Sequence, residues 1–94
     1  MTTETILEDF VASQATPGLS RQRAYTLNRM ATILGKDWLD IGPGDMVRVR
    51  EYLESQDHKP RTVRFYMQTL RAYMTRLAEC GLLPLATLSA IRKV

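Results

Sequence analysis

The sequence predicts an all-α fold, a small bundle of four helices and a short fifth. Apolar residues recur at spacings of three and four in successive segments. No segment alternates apolar and polar residues as a half-buried strand does, and Gly or Pro stands at the ends of the periodic stretches. At 94 residues the chain is one small domain, with no internal repeat.

In order, Ile6, Leu7, Phe10 and Val11 define a first amphipathic helix near residues 3 to 14, stopped by the breaker Thr16-Pro17-Gly18. Ser20 is the expected N-cap of the second helix. Its inward residues are Ala24, Leu27, Met30, Ala31 and Leu34, and Gly35 closes it. Trp38, Leu39 and Ile41 lie in the following connection and are expected to tuck under the bundle. Gly42 as N-cap, Pro43 at the first helical position and Asp45 in the first turn announce the third helix, with Met46, Val49 and Leu53 inward. Pro60 opens a fourth helix of about twenty residues that ends at Gly81. At 100° per residue, Val63, Tyr66, Met67, Tyr73, Met74 and Leu77 fall within about 60° of Leu70, one wide apolar stripe. A short fifth helix from about Pro84 offers Leu85, Leu88 and Ile91 to the core.

Composition excludes several classes. No apolar run approaches the roughly 18 residues of a spanning helix, and the acidic start MTTETILEDF lacks the pattern of a signal peptide, so the expectation is a cytoplasmic protein without a membrane partner. Cys80 has no second cysteine to pair with, and with His58 as the one histidine no metal set assembles. Cys80 reads as a small core filler and His58 as a solvent-exposed turn residue. No Gly-rich phosphate loop and no nucleophile, base and orienter set is present, so neither cofactor nor catalysis is expected.

The net charge of +3 says little, but its distribution says more. From Met1 to Ser20 the charges are Glu4, Glu8 and Asp9; from Arg21 to Lys36 they are all basic. The stretch KPRTVRFYMQTLRAYMTRL, residues 59 to 77, carries Lys59, Arg61, Arg64, Arg71 and Arg76 and no acid. On the fourth helix Arg71, Arg64, Thr75, Gln68 and Arg61 fall at about 100° to 180° from Leu70, a polar strip beside the core face. Guanidinium groups grip phosphate bidentately or read guanine, and Gln suits adenine, so the strip has the groups a groove-facing helix requires. Arg21, Tyr25, Asn28 and Thr32 make a second acid-free face on the second helix. The competing explanation is a solvated basic surface, or one that meets an acidic protein.

The order of LSRQRAYTLNRMATILGKDW, DIGPGDM and KPRTVRFYMQTLRAYMTRLAECGLL resembles the N-terminal SAM-like, or core-binding, domain of tyrosine recombinases, the phage integrase family, and its archaeal-type variants most. The matching features are Leu19-Ser20, Asp45-Met46, Pro60-Arg61-Thr62 and Gly81, over roughly residues 5 to 94. The chain departs from many relatives in having LPLATL where Asn-Pro follows the helix-four glycine. The resemblance implies an orthogonal helical bundle that forms half of a clamp around double-stranded DNA at a recombination site, in the nucleoid. It places DNA contacts at Arg21, Tyr25, Asn28, Lys59, Arg61, Arg64, Gln68 and Arg71. It also implies a separate C-terminal catalytic domain and further recombinase protomers as partners, with residues near 90 to 94 leading into a linker and no strand cleavage by residues 1 to 94 themselves. A helical protein-interaction module with a basic face is the alternative, and a helix-turn-helix regulator is disfavoured because no short three-helix recognition unit stands out.

Overall fold

The computed structural model describes residues 2–94, so Met1 of the expected domain lies outside the described residues. Five helices form: α1 (Thr3–Ala12), α2 (Pro17–Leu34), α3 (Pro43–Ser55), α4 (Pro60–Glu79) and α5 (Leu85–Arg92), with a single 3-10 turn at Trp38–Asp40. Among the described residues there is no strand, and no helix is long and apolar enough to cross a membrane. The architecture is a helical bundle with α4 at its centre, packed against each of the other four helices.

Local chemistry sets each boundary. Thr2 caps α1 by accepting the Thr5 amide (3.2 Å). The second helix begins a turn earlier than Ser20: Thr16 is the N-cap, accepting the Leu19 amide at 3.1 Å, and Pro17 occupies the first helical position. Thr-Pro, read as a breaker, is a start signal here, because proline's fixed φ suits the first turn and its missing amide is one the helix leaves unbonded anyway. Ser20 instead donates its hydroxyl to the Val11 carbonyl (2.7 Å), tying the end of α1 to α2. Gly35 terminates α2 in the left-handed region, φ 63°. Gly81, φ 79°, does the same after α4, where Leu82 N–H to Leu77 carbonyl (3.0 Å) and Gly81 N–H to Ala78 carbonyl (3.0 Å) form a Schellman closure.

Asp45 anchors the start of α3. Its carboxylate accepts the Gly42 amide (2.9 Å), pairs with Lys36 (3.0 Å) and with Arg48, and its side chain is only 7% exposed. Burial pushes this carboxyl upward, but the Gly42 amide and the two cations outweigh it and hold it down at about 2.

The core is the expected stripes brought together: Ile6, Phe10, Leu27, Met30, Met46, Val49, Leu53 and every α4 residue from the Leu70 stripe are buried. Tyr73 is its hub. Phe10 tilts against the ring (centroids 5.8 Å apart), Trp38 meets it edge-on (5.1 Å), and its hydroxyl donates to the Thr3 carbonyl at 2.8 Å. Burial, and secondarily the charge of Asp37, push this phenol up to about 12.

Four apolar or neutral expectations change. Ile41 is buried and Trp38 half-buried, but Leu39 points outward, 39% exposed, because a 3-10 turn directs successive side chains about a third of a circle apart. Leu85 is 74% exposed. It sits at the first position of α5, and Leu83, just before the Pro84 cap, is buried with Leu88 in the positions of a hydrophobic staple. Cys80 is exposed rather than a core filler, since it follows the last turn of α4 at the open end. His58 is half-buried, its ring 5.8 Å from that of Tyr66 and its Nε2 enclosed without a partner.

Candidate nucleic-acid interface

The acid-free face of α2 is presented outward. Arg21, Tyr25, Asn28 and Thr32 are exposed, and Tyr25 is 62% accessible despite its size. Three of these are held by nothing but the helix; Thr32 returns its hydroxyl to the Asn28 carbonyl at 3.2 Å. Tyr25 stands close enough to Tyr66 for its phenol to reinforce what burial does first, raising the Tyr66 hydroxyl, while Arg29 acts in the opposite sense.

On α4 the strip divides. Lys59, Arg61, Arg64 and Gln68 are exposed. Among the described residues, the ion pairs within 4.0 Å are Lys36 with Asp45, Arg48 with Asp45, and Arg76 with Glu79, so Lys59, Arg61, Arg64 and, on α2, Arg21 have no carboxylate partner. Arg71 differs. It is half-buried, and one amino group donates to the backbone oxygen of Val94 at 2.7 Å. Thr75 is likewise turned in, its hydroxyl on the Arg71 carbonyl at 2.9 Å. The region from residue 90, expected to lead into a linker, is helical to Arg92 and fastened to α4 by this contact.

Grooves define which of these residues meet. Tyr25 of α2 and Arg61 of α4 line one groove of about 440 Å³, together with Gln22, Thr62 and Phe65. Phe65 is half-buried there, an aromatic wall between the two helices. Asn28 joins Tyr25 in a second groove, of about 370 Å³, against Tyr52 of α3. Arg64, Gln68 and Arg71 turn to the other flank of α4, into a groove of about 660 Å³ against α3. The two acid-free faces therefore meet at the Tyr25–Arg61 groove, and the α4 row then departs along α3. Arg21, one turn ahead of Tyr25, lines none of these three grooves.

Sequence reasoning missed Arg50 and Glu54, which line the α3 side of the 660 Å³ groove. A search for acid-free segments passes over α3, where Glu51 and Glu54 follow Arg50. The available signal was the wheel position: Arg50 lies about 100° from the inward Val49, the same flank offset as Arg71 from Leu70.

Among the described residues no group of three His, Cys, Asp or Glu is placed to hold a metal ion. The surface offers cations, amides and the exposed phenols of Tyr25 and Tyr52, a set suited to binding phosphate and base edges. No family model, no curated protein and no solved structure matches the chain.

Proposed function

We propose that this chain is a DNA-binding module of the core-binding type found in tyrosine recombinases, gripping duplex DNA at a recombination site and leaving strand cleavage to a separate catalytic domain. The observation that carries the reading is the row Arg61, Arg64 and Gln68, exposed along one helix with no carboxylate within 4.0 Å of either guanidinium. Like charges three residues apart on a helix destabilise it by a few tenths of a kcal/mol, a penalty that phosphate removes. Tyr25 and Arg61 in one groove supply the continuity between α2 and α4 that a grip on a duplex requires.

Two of the four phenols are poorly suited to nucleophilic chemistry. Tyr66 and Tyr73 are buried and both are pushed upward, the opposite of what a nucleophilic phenolate needs. A module with this task works in the cytoplasm on nucleoid DNA, with the catalytic domain and neighbouring protomers as its protein partners.

The test is titration of a duplex oligonucleotide at several salt concentrations. The expected result is binding whose log affinity falls with log salt by about 0.9 per phosphate neutralised. Absence of retention at low salt, with stable capture of an acidic protein, would transfer the basic face to the protein-interaction alternative, which the exposed Tyr25 and Tyr52 also suit.

A further inference from the structure

Arg50, Glu54, His58, Arg64, Gln68 and Arg71 surround the groove between α3 and α4. At about 660 Å³ it has room for about twenty waters, far more than a closed packing defect. Three arginines from two helices line this space with a single carboxylate, and among the described residues none of Arg50, Arg64 and Arg71 lies within 4.0 Å of an Asp or Glu side chain. Glu54 shares the groove with all three and pairs with none, so among the described residues no salt bridge spans it.

We propose that this groove is a phosphate-binding cleft in which Arg50 of α3 and Arg64 of α4 grip one oxyanion from opposite walls, with Glu54 weakening the grip. The inference rests on the DNA-binding reading and deepens it, because it brings a third helix into the interface. A tetrahedral phosphate offers oxygens in several directions and accepts from two facing guanidinium groups at once. A carboxylate presents its lone pairs in one plane and carries a single charge, so it matches two facing guanidinium groups less well than a phosphate does. Arg71, with one amino group already on Val94, contributes its field from the end of the cleft, and the Gln68 amide supplies a neutral donor at the rim. The oxyanion is a backbone phosphate of duplex DNA or a free polyphosphate.

The two sources are separated by titrating the intact chain with a duplex oligonucleotide and, separately, with tripolyphosphate, reading the arginine side-chain resonances by NMR. With the duplex, Arg50→Ala is expected to lower the slope of log affinity against log salt by about 0.9, one phosphate contact. Arg50→Lys keeps the slope and loses affinity, since an ammonium replaces the fork. Glu54→Gln tightens binding severalfold, whereas Glu8→Gln, an exposed acid of α1 outside the groove, leaves it nearly unchanged. Thermal melting of each variant separates binding from folding, and Arg50→Lys and Glu54→Gln carry the test if Arg50→Ala does not fold. Duplex binding with an unchanged slope in Arg50→Ala and no effect of Glu54→Gln overturns the cleft while leaving the DNA reading intact. If the wild type binds no duplex, the DNA reading fails. Tripolyphosphate then decides the cleft: shifts at the Arg50 and Arg64 side chains establish it as a polyphosphate site, and their absence overturns it.

Discussion

The two halves of α4 carry the same kind of polar residue and put it to opposite use. In the first half Arg61, Arg64 and Gln68 stand exposed, and neither arginine meets a carboxylate. In the second, Arg71 bonds the Val94 backbone, Thr75 bonds its own helix and Arg76 approaches Glu79 at 3.8 Å. The difference comes from what lies alongside: α5 packs onto α4 through buried Leu88 and Ile91, and Arg71 bonds the Val94 backbone beyond it. A cationic strip is a candidate binding surface only for as long as no other part of the chain covers it.

This contrast can be broken most directly in its first half. Replacing Arg61 and Arg64 together by Ala is expected to lower duplex affinity more than tenfold and to reduce the salt slope by about 1.8, two phosphates at about 0.9 each. The melting temperature should stay near that of the wild type, because exposed, unpaired side chains contribute within about 0.5 kcal/mol to stability. Unaltered binding in this variant would remove the basis for a nucleic-acid interface.

The next effect comes from cations that are internally neutralised on another part of the bundle. Asp45, held at about 2 against an ordinary 3.8, stabilises the fold above its unfolded value, and that stability drains away as pH falls from about 4 towards 2. Asp45→Asn is expected to cost about 2 kcal/mol at neutral pH in urea unfolding, and to flatten the acid limb of the stability profile over that window. Because Asp45 pairs with Lys36 and Arg48 and not with Arg61 or Arg64, duplex affinity should change little.

Arg71→Ala should behave as the mirror image of the first variant. Losing the bond to Val94 costs about 1 kcal/mol, visible as a lower denaturation midpoint and faster amide exchange in α5, while the salt slope changes by less than for either Arg61 or Arg64 alone. Equal loss of slope at Arg71 would mean that the second half of α4 also faces the duplex. Arg76→Ala is expected to have the smallest effect, at most about 0.5 kcal/mol, since its long, partly exposed pair with Glu79 is screened by water.

Helix existence, the apolar stripes and the glycine closures were legible because they depend on periodicity and on φ, both local properties. The α4 stripe from Val63 to Leu77 is buried throughout, and Gly35 and Gly81 both take positive φ. The errors fall where two local signals compete or where a neighbour intervenes. Thr16-Pro17 and Ser20 both look like helix starts, and the earlier one is used because Ser20 has the Val11 carbonyl to bond. Leu85 has the spacing of a core residue but sits at the end of its helix, where Leu83 fills the space instead. His58 is half-buried with its ring tilted against that of Tyr66, a contact no turn composition announces.

By itself the sequence determined that the chain is helical, which face of each helix is apolar, and that residues 21–36 and 59–77 carry cations without acids. Only the tertiary structure decided that Tyr25 and Arg61 line one groove, that Arg71 turns inward to Val94, and that Arg50 and Arg64 line another. The reason is one of range: a helical wheel states the direction in which a side chain leaves its own axis, while its partner depends on which helix packing has brought alongside.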